Sequence, residues 1–196
     1  MTEKVAESSV ELHELIARRW SPRAFDPDEK ISDKQLRALL EAARWAPSYG
    51  NTQPARFLVG PRGSQTFDRI LGVLTEANQA WAHRVSVLFL GLAVTRNEKG
   101  ELPYATYGVA LAAQNLVLQA VAEGLAGHQM AGFDPQAARR EFSLPDDVEP
   151  VVAIAVGKPV DADILGHEAL IDRERAPRRR LPLSEIALSD WNVPAF

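Results

Sequence analysis

The chain has 196 residues, of which 46% are hydrophobic and 24% charged, with a formal net charge of -4. That size and composition fit one soluble domain burying roughly 70% of the surface its unfolded chain would expose. The acidic balance excludes a general nucleic-acid binder, which needs a basic face, and the lack of cysteine excludes disulfides, thiolate nucleophiles and zinc–thiolate sites.

The first residues, "MTEKVAESSVELHELI", lack the apolar core of a signal peptide, so a cytoplasmic location is expected. Leu12, Leu15 and Ile16 share a face and predict a helix over Ser9–Arg18. It ends in "RRWSPRAF", where Arg18 and Arg19 suit the carbonyl end of a helix. Arg23 lies beyond Pro22, which cannot continue a helix interior, so the helix dipole does not account for it.

In "ISDKQLRALLEAARWAP", Ser32 and Gln35 have capping-box spacing, and Leu36, Leu39, Leu40 and Ala43 recur with helical period until Pro47. A polar loop follows, then the short strand "RFLVG". Phe67, Ile70, Leu71 and Leu74 mark another amphipathic helix, and Val85–Val94 a buried strand. From Ala105 to Ala122 there is no formal charge and nearly a bilayer's length. Gln114, Asn115 and Gln119 interrupt it, so we read it as a core or subunit-interface helix and expect no membrane association. Asp134 as N-cap with Pro135 at the first position opens a short helix to Phe142. "VEPVVAIAVG", ending at Gly157, is a second buried strand.

Alternating strands and helices predict a mixed α and β class around one central sheet, as a single domain. From about Pro159 the chain turns charged and proline-punctuated. Leu181, Leu183, Ile186, Leu188, Trp191 and Phe196 make this an arm packed on something, possible hosts including another subunit.

No phosphate-loop, dinucleotide, serine-elbow or zincin motif occurs, and His13, His83, His128 and His167 lack metal-ligand spacing, so no metal is expected. Nothing pairs as nucleophile and base, which points to a cofactor for any hard chemistry. Three polar clusters remain. They are Arg19, Ser21 and Arg23; the loop Ala46–Phe57 with Ser48, Asn51 and Gln53; and the run Arg178, Arg179, Arg180. Two arginine groups far apart in sequence suit a phosphate dianion, and loop amides suit the edge of a heterocycle.

"RRWSPRAF", "LLEAARWAPSYGNTQPARFLVG", "NQAWAHRVSVLFLG", "GLAGHQMAGFD" and "RRRLPLSEIA" follow one another along nearly the whole chain. In this order they resemble the nitroreductase family of FMN-dependent oxidoreductases. The resemblance implies an α+β fold with a central mixed β-sheet flanked by helices, single over 1–196. It also implies a C-terminal arm from 170 to 196 packing on the partner of a homodimer. Tightly but non-covalently bound FMN would take hydride from NADH or NADPH and pass it to a small acceptor. Arg19 and Ser21 would face its phosphate and ribityl end, closed from the arm by Arg178 and Arg180. Arg23 would lie near the N1 and C2-carbonyl edge, Asn78 at the pyrimidine edge, and the backbone of Ala131 and Gly132 near N5. The loop with Pro47, Ser48 and Asn51 would come from the second subunit, making shared FMN sites. Tyr49, Tyr104 and Tyr107 would line the exposed flavin face as substrate contacts. Arg18, Arg179 and Gln53 keep structural readings.

Two departures stand out. Ala55 follows Q-P where the family often has Trp, and Ala131 stands where some members carry an acid. The expected chemistry is ping-pong hydride transfer to a nitroaromatic, quinone, enone or free flavin. A flavin storage or sensor protein without reductase turnover is the alternative, and another chemistry on the same scaffold a third.

Overall fold

Val87–Val94 (β2) is buried along nearly its whole length, and the remaining structure is assembled on it. The computed structural model describes residues 4–196 of the single unit expected over 1–196. In chain order the helices are α1 (Glu14–Arg18), α2 (Asp33–Arg44), α3 (Gln65–Val73), α4 (Glu76–Ala82), α5 (Ala105–Ala122), α6 (Pro135–Glu141), α7 (Glu168–Arg175) and α8 (Leu183–Ile186). The strands are β1 (Ala55–Pro61), β2, β3 (Arg96–Asn97), β4 (Gly100–Glu101), β5 (Ala126–Met130), β6 (Val148–Gly157), β7 (Leu188–Asp190) and β8 (Val193–Pro194).

The main sheet has order β1-β2-β6-β5. Its three ladders are all antiparallel, so the α+β class stands while the sheet of this chain is not mixed in direction. Successive side chains of a strand face opposite ways, and β2 divides its apolar residues accordingly. Leu88, Leu90 and Leu92 face a core shared with Phe25, Phe67, Ile70 and Trp81. Val87 and Phe89 face a second core with Leu39 of α2 and Ala113, Leu116 and Val117 of α5. Each fully buried Leu or Phe contributes roughly 1.5–3 kcal/mol, so the strand with both faces covered anchors the fold. Opposite Gly91 and Leu92 the β6 register slips, and Pro150, which has no N–H to give, sits at that irregularity.

Local signals explain the helices. Ser32 and Gln35 form the reciprocal capping box of α2, and Asp134 accepts from the N–H groups of Gln136 and Ala137 at the start of α6. The first helix is shorter than the expected Ser9–Arg18. It begins at Glu14 because the His13 ring accepts the Leu15 N–H and caps it. Helix α5 is long and apolar enough to span a bilayer, yet here it lies between α2 and the sheet, where Asn115 donates to Ala42 O at 3.1 Å. Gly108 permits close approach of this helix to the polar loop: a Cβ there would meet Pro54 Cγ at 2.8 Å.

The C-terminal region opens with structure of its own chain. Helix α7 rests Leu170 and Ile171 on the first core and buries Glu174. Beyond residue 180, Leu183 and Ile186 of α8, Trp191 in the β7–β8 hairpin and Phe196 after it are exposed, Trp191 at 82% and Phe196 at 83%.

Candidate functional site

The segment Pro22–Phe25, bridged to Pro159 through Phe25, forms one wall of the candidate site. Ala24 and Phe25 are fully buried, Phe25 packing on Trp81 with ring centroids 6.0 Å apart, so Arg23 between Pro22 and Ala24 is held by its neighbours. Glu174 fixes the backbone. Its carboxylate, 4% exposed, accepts the Arg23 N–H at 2.9 and 3.0 Å and the Ala24 N–H at 3.1 Å. The same group meets the Arg23 guanidinium at 3.8 Å. A carboxylate spending its lone pairs on backbone N–H groups neutralises the neighbouring side chain only in part.

From there a cavity of about 630 Å³ runs to the opposite wall of α4 and the end of β5. Arg23, Asn78, His128, Gln129, Ala131, Gly132 and Arg173 line it. Asn78 donates through Nδ2 to Gly132 O at 2.9 Å, which turns its Oδ1 into the remaining acceptor of that amide. Gly132 leaves room for the Asn78 amide, since a Cβ would lie 2.5 Å from Asn78 Nδ2 and 3.0 Å from Thr75 Oγ1. Ala131 is exposed. Without a side-chain donor at Ala131, the wall offers backbone groups alone at that position.

His128, largely buried in the cavity wall, lies 4.7 Å ring to ring from Trp81, with Nδ1 2.8 Å from Pro22 O. A carbonyl only accepts, so Nδ1 carries the proton and donates. Burial pulls the imidazole pKa from 6.5 down to about 4, with Arg23 and Arg19 pushing the same way. The ring is therefore neutral at neutral pH.

A second group of cations lies beyond Arg23. Burial lowers the pKa of Arg19, followed by the positive charges of Arg178 and Arg180; Arg178 is lowered likewise by burial and then by Arg180. Arginine stays protonated in proteins, so the charges of Arg178 and Arg180 reach Arg19 as like charges beside a partly buried guanidinium. Arg19 also donates to Ser21 Oγ at 3.3 Å. Arg178 donates from Nη1 to Lys4 O at 2.8 Å and Ala17 O at 2.7 Å, tying the two ends of the chain together. Arg180 is exposed and donates to Arg179 O. Lys4, whose ammonium sits 4.6 Å over the Trp20 ring, bonds to Glu174 O and Ala176 O.

The loop residues form a separate group within this chain. Pro47 and Ser48 line a small cavity of about 110 Å³ with Gln53, Pro54 and Gly108, sharing no residue with the cavity of Arg23. The loop is internally fixed: Ser48 Oγ accepts the Gln53 N–H at 2.9 Å and Gln53 Nε2 reaches Asn51 O at 3.2 Å. Gly50, Asn51 and Gln53 all have positive φ, 53°, 56° and 50°. Holding non-glycine residues there costs energy, which a disposable loop would shed. Tyr49 and Tyr104 pair at 5.4 Å between ring centroids beside this loop, and both, with Tyr107, are exposed. A larger cavity, about 790 Å³ and lined by Glu101, Asp146, Asp147 and Glu149, repels anions and is distinct from both groups.

The structure sets Arg19 beside Ser21 and within reach of the charges of Arg178 and Arg180, and it lines one cavity with Arg23, Asn78, Ala131 and Gly132. Glu174, Arg173 and Gln129 have no place in the sequence reading, and His128 appears there only as a histidine without metal-ligand spacing. One signal for Glu174 was present: it continues the Leu170, Ile171 helical stripe, where an acid is out of place unless it has buried partners.

The sheet, its covering helices and the cation-lined cavity define an oxidoreductase fold of nitroreductase type. The nitroreductase family model matches residues 16–80 and 73–158, and the chain belongs to that family. A 15.4 kDa uncharacterized protein of Mycolicibacterium smegmatis is 34% identical over 148 residues, covering 71% of this chain and 99% of its own. A Streptomyces coelicolor protein provisionally named an NADH dehydrogenase/NAD(P)H nitroreductase is 28% identical, covering 74% of this chain and 85% of its own. A crystal structure described as an oxidoreductase containing FMN superposes with TM-score 0.88 at 30% identity, over 96% of each chain. A nitroreductase family protein of Clostridium difficile 630 superposes with TM-score 0.71 at 25% identity, over 92% of this chain and 99% of the other.

Proposed function

We propose that the protein is an FMN-dependent oxidoreductase that moves hydride from NADH or NADPH to a small acceptor such as a nitroaromatic, quinone or enone. The two half-reactions follow one another at one site, in ping-pong order. The observation that carries this reading is the pairing of a guanidinium cluster, drawn from both ends of the chain, with an adjoining cavity that holds Arg23, Asn78 and Gly132.

The donor set fits FMN. Arg19, Ser21, Arg178 and Arg180 would hold the phosphate and ribityl end through charge-assisted hydrogen bonds. Asn78 would offer its Oδ1 to the pyrimidine edge, and the backbone of Ala131 and Gly132 would abut the ring. When bound, FMN supplies a reversible carrier of two electrons and a proton. Arg23 contributes a fixed positive charge where negative charge gathers on reduction, an electrostatic aid needing no proton transfer. His128, neutral and turned on Pro22 O, shapes this wall rather than acting as an acid.

The loop carrying Pro47, Ser48 and Asn51 would complete the site of a second copy, with Tyr49, Tyr104 and Tyr107 facing the acceptor. The exposed apolar arm beyond residue 180 would pack on that copy. A solution mass of two chains supports this pairing, and a mass of one chain refutes it.

Anaerobic addition of NADH or NADPH to the FMN-loaded protein tests the proposal. Bleaching of the flavin band and its return with a nitroaromatic or quinone are expected. A yellow protein that neither nicotinamide bleaches would instead be a flavin store or sensor.

A further inference from the structure

The cavity has a wall, formed by α7 and its N-cap, to which the FMN reading above assigns no role. His167, Leu170 and Arg173 line it at three-residue intervals, one face of α7 and its N-cap. Glu174, the next residue, points inward and holds the Arg23 backbone, which sets the helix so that Arg173 meets the cavity. Arg173 has no ion pair or hydrogen bond among the described residues, and its positive charge acts on Arg23. On the FMN reading above, Arg19, Arg178 and Arg180, whose charges act on one another, would serve the phosphate end. Arg23 would serve the flavin edge. One cation is left over, next to the apolar Leu170.

We infer that the α7 wall, His167, Leu170 and Arg173, is a subsite for a flat apolar body carrying an oxyanion, so that carboxylated acceptors are preferred to neutral ones. A guanidinium fork pairs with a carboxylate through two parallel N–H bonds, and Leu170 packs the body of the molecule between that pair and the cavity floor. This inference rests on the FMN-oxidoreductase reading above.

The test uses the FMN-loaded enzyme with 4-nitrobenzoate and 4-nitrobenzamide, which differ in charge and little in shape. In Arg173→Gln the ratio of kcat/KM for the benzoate to that for the benzamide should fall about tenfold, the loss of one charge-assisted pair. Arg173→Lys should recover part of that ratio. An unchanged ratio in Arg173→Gln overturns the subsite. A ratio that holds while reduction by NADPH weakens relative to NADH overturns the acceptor assignment and moves the oxyanion to the donor's extra phosphate. FMN affinity, measured on the same samples, separates the two levels. A wild-type chain that takes up no FMN sinks the underlying reading, whereas a yellow, active enzyme without the charge preference sinks the subsite alone.

Discussion

Glu174 grips Arg23 twice, by backbone N–H bonds of 2.9 and 3.0 Å and by a guanidinium contact of 3.8 Å, although 150 residues separate them in the chain. That relationship makes α7 a support for the N-terminal cation. Replacing Glu174 with Ala strands the N–H groups of Arg23 and Ala24 in a buried place. Chemical denaturation should show a loss of about 2–4 kcal/mol, and FMN affinity should fall with it. Glu174→Gln keeps one carbonyl acceptor and should fall between. Wild-type affinity and stability in Glu174→Ala would show that the grip is dispensable.

Arg23→Ala removes the fixed cation while leaving its backbone N–H on Glu174. FMN binding should weaken, and the midpoint potential should become more negative, by about 30 mV for each 1.4 kcal/mol of lost stabilisation of the reduced state. Spectroelectrochemistry reads this directly. An unshifted potential would deny Arg23 its electrostatic role.

His128 predicts a pH dependence with a definite sign. Its folded pKa of about 4 lies below the ordinary 6.5. Above 6.5 both folded and unfolded rings are neutral. As pH falls from 6.5 toward 4, the unfolded chain takes up a proton that the folded chain refuses, so stability drops. Below 4 the loss is complete, about 3 kcal/mol. His128→Leu should start less stable, having lost the Pro22 bond, yet show a flatter stability curve across that window. Parallel curves for the two proteins would mean another group governs the acid limb.

Gly132→Ala should displace Asn78, since the new Cβ would stand 2.5 Å from its Nδ2. The Asn78–Gly132 bond would break and the amide would lose its fixed orientation. FMN titration should show affinity down about tenfold or more, the scale of one or two oriented hydrogen bonds. Undiminished binding would place the pyrimidine contact elsewhere.

The elements most legible in the sequence are those with self-contained signals. The Ser32–Gln35 capping box, Asp134 before Pro135, the uncharged Ala105–Ala122 and the apolar runs Val85–Val94 and Val148–Gly157 each state their structure locally. Three short elements do not. Ala126–Met130 contains Gly, His and Gln and becomes a strand through its ladder with β6. Glu76–Ala82 spans two turns, too few for a period to show, yet it carries Asn78 and Trp81. Glu168–Arg175 is highly charged, and its inward face becomes visible only once Arg23 and Ala24 are seen to need an acceptor.

The same distinction runs through the candidate site. Arg19, Ser21, Arg178 and Arg180 stand in segments that resemble family motifs, which is what made them candidates. Arg173 and His128 were not, because their roles come from the cavity and from neighbours remote in sequence. The loop Pro47–Asn51 is legible as a turn-rich segment in the sequence and as a strained, internally bonded loop in the structure.

Comparing FMN with riboflavin, which lacks the phosphate, tests the central claim most directly. Wild-type protein should bind FMN about a hundredfold or more tighter, as two or more charge-assisted pairs require. The double variant Arg19→Ala, Arg180→Ala should lose most of that preference while riboflavin binding changes little. Equal weakening of both flavins, or a wild-type protein indifferent to the phosphate, would contradict the meeting of these arginines around one nucleotide.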